Sequence, residues 1–251
     1  MLKTIYILWL RQIKRYLRSP ARIVGSLGQP LLFLVALGFG LGPVFQKAGG
    51  GNYLQFLAPG VIAMSVLFTS LFAGIEIIWD KQFGFLKETL VSPVSRFSIM
   101  VGRTMGGATV ATLQGVVVLV LSFLVGFRPV SFTFGNIVLA LVFMFLIALL
   151  FTSLGTGIAS LLDDMQGFQL IMNFLVMPIF FLSGALFPLA GVPSFIQAVA
   201  YVDPLTYGVD ALRHVLSSGA FFPLATSTAV LVGSVAVLLG IGSYLFSKIQ
   251  V

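Results

Sequence analysis

The residues able to do chemistry are few in this sequence, and their spacing argues against catalysis by this chain. The single histidine, His214, follows Asp210 by four residues, and one histidine makes a poor metal site. Helical spacing favours a pair between Asp210 and either His214 or Arg213. Serines such as Ser153 and Ser183 have no base within plausible reach to activate them. We therefore predict no catalytic residue and no metal site.

Two absences from the sequence exclude further classes of function. Cysteine is absent, which removes disulfides, thiolate metal ligands and a cysteine nucleophile. The sequence also lacks a G-x-x-x-x-G-K-[ST] loop, the backbone cradle that holds nucleotide phosphates. We expect this chain to bind no cofactor and to hydrolyse no ATP itself.

The elements that must position the remaining polar residues are membrane-spanning helices. Of 251 residues, 59% are hydrophobic and 8% are charged, against about 45–50% and about 25% in soluble domains. Six intervals without a charged residue each exceed the ~20 residues that a helix needs to cross the bilayer, and they lack the alternation of barrel strands. We predict an all-α integral membrane protein with one domain, residues 1–251. The six predicted spans are 24–45, 55–77, 104–127, 136–161, 167–187 and 226–247.

The basic residues predict the orientation of these spans. Of the 14 lysines and arginines, 11 fall on one side of the predicted spans and 3 on the other. By the positive-inside rule, both termini and the second and fourth loops face the cytoplasm. The net charge of +7 follows mostly from this asymmetry and suits anionic lipid headgroups. We expect a multi-pass protein of the cytoplasmic (inner) membrane, with no nucleic acid partner.

The acidic residues near the spans have structural explanations. Glu76, near the inner end of the second span, is predicted to pair with Lys81 or Arg103, although an ionisable group in a span could also be functional. Asp163 and Asp164 are predicted to cap the fifth span rather than to bind a cation. No relay of ionisable groups crosses the predicted spans, which disfavours an ion-coupled transporter.

Residues 1–22 are predicted to form an amphipathic interfacial helix, broken at Ser19 and Pro20 before the first span. Its function is either to anchor the topology or to position the bundle. The basic face consists of Arg11, Lys14, Arg15, Arg18 and Arg22, opposite Tyr6, Trp9, Leu10, Ile13 and Leu17.

The loop between the second and third spans is the most informative stretch. Residues 79–91 are predicted to form one amphipathic helix on the inner face, which Pro93 ends. The helix fits either a groove on a soluble partner or the base of the bundle itself. Its apolar stripe is Phe83, Leu86 and Leu90, and its polar side carries Lys87 and Glu88.

The segment 188–223, on the outer side, is predicted to be structured. Asp203 and Pro204 are typical of a helix cap and first helical turn, and this helix should end near Leu216. Short helices of this kind re-enter the membrane only where protein or water covers their ends.

Two blocks of the sequence resemble the type-2 ATP-binding-cassette (ABC) exporter permeases, including the drug-resistance and lipo-oligosaccharide branches. FLKETLVSPVSRFSIMVGR, residues 85–103, is similar to the family signature between the second and third spans. FFLSGALFPLAGVPSFIQAVAYVDPLTYGVDALR, residues 180–213, is similar to the fifth span and outer re-entrant segment of that family.

The resemblance implies a dimer of two six-span subunits above two copies of a separately encoded ABC ATPase, which binds ATP and Mg. It makes residues 79–91 the coupling helix that docks on that ATPase. The implied coupling residues are Phe83, Leu86, Lys87, Glu88, Leu90, Pro93 and Arg96. A second cytoplasmic contact is implied at Asp163 and Asp164. The implied outer gate comprises Pro188, Asp203, Pro204, Tyr207, Asp210 and Arg213.

The substrate class follows from composition. With 25 Phe but only 2 Trp and 6 Tyr, a pathway through this bundle would be apolar and poor in the rings that grip sugars. The interpretation is a permease for a hydrophobic drug or lipid-like compound, with a lipid-linked oligo- or polysaccharide as the alternative. An intramembrane enzyme and a passive channel are the competing classes.

Overall fold

The computed structural model describes residues 2–91, 94–130 and 133–249, except the side chains of Lys87 and Leu90. In these residues every regular element is a helix. The helices are α1 (Leu2–Leu17), α2 (Pro20–Gly25), α3 (Gly28–Leu32), a π-helical turn (Phe33–Leu37), α4 (Gly38–Gly40), α5 (Gly42–Lys47), α6 (Tyr53–Phe72), α7 (Ile75–Gln82), α8 (Phe85–Val91), α9 (Arg96–Val125), α10 (Phe134–Leu161), α11 (Met165–Leu182), α12 (Ser194–Val202), α13 (Pro204–Leu216) and α14 (Leu224–Ser247).

Six helical segments are long and apolar enough to cross a membrane, which confirms the predicted all-α membrane fold. The second span reaches Gln82 instead of the predicted 77, and the third begins at Arg96 instead of the predicted 104. The charges at these ends, such as Asp80 and Arg103, are buried and paired. Intervals between charged residues therefore underestimate helices whose charged ends face one another.

The second, third and fourth spans form the centre of the bundle, whereas the first, fifth and sixth lie at its edge. In the apolar 18-residue stretch of the second span, 72% of the residues are buried, whereas in that of the first span only 17% are buried. Large apolar side chains such as Phe174 on the fifth span and Val237 on the sixth are exposed. The edge helices thus present apolar surface to lipid or to another subunit.

The helix α1 packs along α9 rather than only along a membrane surface. At Gly106 on α9, an added Cβ would lie 2.6 Å from Cγ of Gln12, and one added at Gly102 would lie 3.1 Å from the Ile5 Cα. Trp9 Nε1 also donates to Thr109 Oγ1 at 2.9 Å. Glycine allows this close approach because it has no side chain. Part of the face expected to enter the headgroup region is therefore used against the bundle.

The outer segment between the fifth and sixth spans contains α12 and α13. The predicted helix from Pro204 to Leu216 is present with those bounds, and the Asp203 carboxylate accepts from the Leu205 N–H at 2.9 Å. Most of α13 is buried against the second, fourth and sixth spans. The cap starts this helix because it satisfies an N–H that has no intrahelical partner.

Candidate functional site

The region predicted as one helix, residues 79–91, is two helices joined by a turn. The first helix, α7, ends at Gln82, and Gly84 has a φ of +75° before α8 begins. That left-handed conformation interrupts a helix and suits glycine. The prediction of one continuous helix was therefore wrong, because Gly84 breaks it within the apolar stripe.

The break also separates the residues of that stripe. Phe83 lies outside both helices and is 81% exposed, whereas Leu86 is fully buried. Glu88 on α8 is exposed, and Arg96 donates to the backbone carbonyls of Ser247 and Ile249 at 2.6 and 2.8 Å. Leu86 and Arg96 thus serve contacts within the chain. Phe83 and Glu88 remain accessible to a partner, and the predicted contacts Lys87, Leu90 and Pro93 lie outside the described residues or side chains.

Two acidic residues of α7 connect this region to the N-terminal helices. Asp80 accepts from Arg103 Nη2 at 2.5 Å and from Arg11 Nη2 at 3.3 Å. Glu76 lies 3.6 Å from Arg15 and 3.5 Å from Arg22. The predicted partners of Glu76, Lys81 and Arg103, were wrong because α1 and α2 bring Arg15 and Arg22 within ion-pair distance of it.

Arg11 and Arg15 reach aromatic rings as well as carboxylates. The guanidinium of Arg11 lies 4.2 Å from the ring centroid of Phe85, and that of Arg15 lies 5.3 Å from Trp79. Arg11 therefore contacts Asp80 on one side of Gly84 and Phe85 on the other. We call these contacts of Arg11 and Arg15 with α7 and α8 the staple. They should make α1, α7 and α8 move together.

Sequence reasoning missed this staple, although its signal was present. Glu76 and Asp80 are four residues apart on α7, and Arg11 and Arg15 are four apart on α1. Residues with this spacing lie on one helix face. Two matching pairs of opposite charge thus indicated that the helices could lie side by side.

The fourth loop lies beside the inner end of α7. Lys81 Nζ contacts the Asp163 carboxylate at 3.1 Å and donates to the carbonyls of Ser160 and Leu162. Asp164 accepts from the Gly167 N–H at 2.5 Å, so it caps the fifth span as the sequence indicated. The same prediction for Asp163 was wrong, because Asp163 pairs with Lys81. The Asp163 side chain is 93% exposed. The Asp163 carboxylate therefore lies on the same side of the bundle as Phe83, where a docked partner would contact both.

At the outer end, Asp210 and Arg213 bond different backbone groups instead of each other. The Asp210 carboxylate accepts from the Phe221 and Phe222 N–H groups at 2.5 and 2.9 Å. Arg213 donates to the Gly184 carbonyl at 2.8 Å, and its guanidinium lies 3.7 Å from the Phe56 ring. The predicted pairing of Asp210 with Arg213 or His214 was wrong. The loop after the fifth span brings carbonyls to Arg213, and the loop before the sixth span brings N–H groups to Asp210.

Burial shifts the titration of two outer residues. Burial lowers the pKa of Arg213 to about 10, and the nearby Asp210 carboxylate opposes that shift. Burial also raises the pKa of Asp203 to about 7, while its bond from the Leu205 N–H opposes the change. Within the described part of the chain, the second oxygen of Asp203 has no hydrogen-bond partner. Asp203 therefore favours its neutral form more than an exposed aspartate does.

The predicted gate residues separate into two groups. Pro188, Asp210 and Arg213 line one cavity of about 190 Å³. Tyr207 instead donates its hydroxyl to the Tyr201 carbonyl at 2.8 Å and so links α13 to α12. His214 is exposed. The structure thus brings part of the predicted gate together around one small cavity, whereas Tyr207 braces α13.

Comparison with known proteins identifies a family whose sequence model covers both of these regions. The sequence model of the ABC-2 type transporter family matches residues 3–217, which contain α1, α7, α8 and α13. The transport permease ycf38 of Cyanophora paradoxa is 29% identical over 223 residues, covering 86% of this chain and 75% of the relative. Nodulation protein J of Rhizobium leguminosarum bv. trifolii is 30% identical over 198 residues, covering 78% and 74%. The chain belongs to the ABC-2 type transporter family and is a membrane permease, the transport subunit of such a system.

Proposed function

We propose that this chain is the membrane subunit of an ATP-driven exporter that moves a hydrophobic drug or lipid-like compound across the cytoplasmic membrane. A separate ABC ATPase supplies the energy by binding ATP and Mg. The observation that carries the proposal is the α7–α8 element, which exposes Phe83 and Glu88 and is held by the arginines of α1.

The contacts of this element give it the properties of a mechanical coupling device. A displacement of α8 reaches the second span through α7, and Asp80 carries it to the third span through Arg103. Packed helices shift as rigid bodies because their interfaces do not deform continuously. ATPase closure beneath the membrane would thereby reorient the inner ends of two central spans together.

The exposed edge helices support a dimer of two copies of this chain with two copies of the ATPase. In the apolar stretches of the first, fifth and sixth spans, only 17%, 22% and 22% of the residues are buried within one chain. A second copy would cover part of that surface and would place a pathway between the subunits. The basic inner side supports cytoplasmic termini, with α12 and α13 re-entering the membrane from outside as the gate.

Two observations bear on the cargo. The exposed surface of the edge helices is rich in large aliphatic and phenylalanine side chains, which favours an apolar or amphipathic compound. Ser65 and Thr69 on the second span line a cavity near the inner half, which favours a cargo that also carries a polar headgroup. A lipid-linked oligo- or polysaccharide would satisfy both features and is the second candidate.

Charge reversal of the exposed Glu88 on α8 tests the docking assignment. Glu88→Arg should reduce co-purification of the ATPase and cargo-stimulated ATP hydrolysis by about tenfold, because it places a repulsive charge in the interface. Membrane insertion should be unchanged. The matched control is Arg128→Glu, a charge reversal of an exposed residue near the outer end. Normal ATPase binding and stimulation in Glu88→Arg would contradict the proposal.

A further inference from the structure

A groove lined by both polar and apolar side chains runs along the inner half of the bundle between the first and second spans. Two adjoining cavities of about 170 and 140 Å³ form it. The first also contacts Tyr16 and Arg22, and the second extends to Gln29 and Ser65. Their shared lining residues are Ser26, Phe68 and Thr69. Either cavity alone is smaller than the ~300 Å³ lower bound of drug-sized pockets, and each has room for a headgroup.

The wall of the groove contains an amide with an unused donor. Gln114 is fully buried, and its Oε1 accepts from the Tyr16 hydroxyl at 2.6 Å. That bond orients the amide, so that Nε2 becomes the free donor. Across residues 2–91, 94–130 and 133–249, nothing accepts a hydrogen bond from Gln114 Nε2. A buried donor without an acceptor is costly, and an acceptor group in the groove would remove that cost.

Two hydroxyl groups of α6 face the same groove. Ser65 and Thr69 are four residues apart and therefore lie on one helix face. Neither side chain bonds any other described residue, whereas Ser70 donates to the Leu67 carbonyl and Thr112 to the Ala108 carbonyl. Such bonds to a helix's own carbonyls are the usual state of hydroxyls in membrane helices. Ser65 and Thr69 thus keep their hydrogen-bonding capacity for a ligand.

The mouth of the groove carries positive charge. Arg22 lines it at the inner end, and its side chain is partly exposed although Nη1 lies 3.5 Å from Glu76. The groove therefore combines a cation at its entrance with hydrogen-bond donors deeper inside. That arrangement matches a headgroup that is anionic and rich in oxygen acceptors.

We propose that this groove binds the phosphate or carboxylate headgroup of an anionic amphiphile whose apolar part lies against the first span. The inference rests on the proposed function and, where the headgroup belongs to the cargo, names the substrate class more closely. Polar groups in the hydrocarbon region are costly unless paired, so a row of unpaired groups here marks a place where a polar headgroup enters. The headgroup comes either from transported cargo or from a bilayer phospholipid.

Photolabelling of the purified chain in maltoside micelles tests the site without any ATPase. The probes are a photoreactive phosphatidic acid and a photoreactive diacylglycerol with the same chains, which differ only by the phosphate. We expect the phosphatidic acid to label peptides of the first and second spans at lower concentration. Gln114→Leu should raise the half-labelling concentration about tenfold, and Thr69→Val should raise it severalfold.

The matched control is Thr112→Val, which removes a hydroxyl on α9 that is bonded to its own helix. It should leave labelling unchanged. Equal labelling by the two probes, or an equal loss in Thr112→Val and Gln114→Leu, would overturn the site. Unchanged labelling in both Gln114→Leu and Thr69→Val would overturn it as well.

Vesicles of phosphatidylcholine that contain the chain, its ATPase and fluorescent phosphatidic acid distinguish the two sources. ATP-driven movement of the fluorescent lipid that slows in Gln114→Leu identifies the headgroup as cargo. Labelling without such movement identifies a resident lipid, and both outcomes support the site. If the wild-type chain neither binds nor stimulates the ATPase, the proposed function is refuted. Labelling in micelles, which uses no ATPase, still tests the groove in that case.

Discussion

Removing the carboxylate of Asp80 tests whether buried charge pairing holds α7 to the bundle. Asp80→Asn leaves Arg103 with no carboxylate partner, and Nε and Nη1 of Arg103 already lack acceptors in the described part of the chain. Breaking a buried pair from one side costs about 3–5 kcal/mol. For a chain of this size that corresponds to a fall of roughly 10 °C in the unfolding midpoint. Loss of the Arg11 contact adds little, because that side chain is partly exposed.

The assay uses the absence of native cysteine. One cysteine placed at the buried position Ala148 becomes reactive to a thiol dye only when the bundle opens. Its labelling during heating gives the midpoint for each variant in the same background.

Two comparisons separate charge pairing from a general effect of substitution. Asp163→Asn removes a pair whose carboxylate is solvent-exposed, so it should cost no more than about 1 kcal/mol. The double variant Asp80→Leu with Arg103→Leu should recover most of the lost stability, because it removes both buried charges. Equal midpoints for Asp80→Asn and Asp163→Asn, or no recovery in the double variant, would refute the reasoning.

Two further predictions concern single residues. The raised pKa of Asp203 means that the folded chain binds more protons than the unfolded chain between the ordinary aspartate pKa of 3.8 and about 7. The free energy of unfolding should fall by up to a few kcal/mol as pH rises through that window and stay level above it. Asp203→Asn keeps a capping side chain and should abolish the slope, as thermal scans at several pH values would reveal; an unchanged slope would exclude Asp203 as its source. Gly84→Ala should destabilise the turn between α7 and α8 by about 1–2 kcal/mol because of its positive φ, lowering both the midpoint and ATPase co-purification. Gly135→Ala, where a Cβ meets open space, should change neither, and matching losses in the two glycine variants would contradict this account.

Much of the architecture is predictable from local sequence features. The intervals between charged residues identify the six spans, because hydrocarbon excludes unpaired charge over the length of a helix. The start and end of α13 follow from Asp203 and Pro204, since a cap and a proline act within one turn. The capping role of Asp164 is predictable for the same reason.

The errors concern contacts between distant segments and one local turn. Glu76 pairs with arginines of α1 and α2, more than fifty positions away in the sequence, rather than with Lys81. Arg213 bonds carbonyls of residues 184 and 185 rather than Asp210. At Gly84 the apolar periodicity suggested a continuous helix, but one glycine permits the backbone to leave it.

The sequence by itself determined the class of this protein, its spans and the helix that begins at Pro204. These depend on hydrophobicity, charge and capping, which act between near neighbours in the chain. Only the tertiary structure decided which charges meet, where the staple of α1 lies and that Gln114 has a donor to spare. Several basic residues could pair with each buried carboxylate. The close packing of Gly102 and Gly106 on α9 against α1 decides which of them do, because it brings the arginines of α1 near α7.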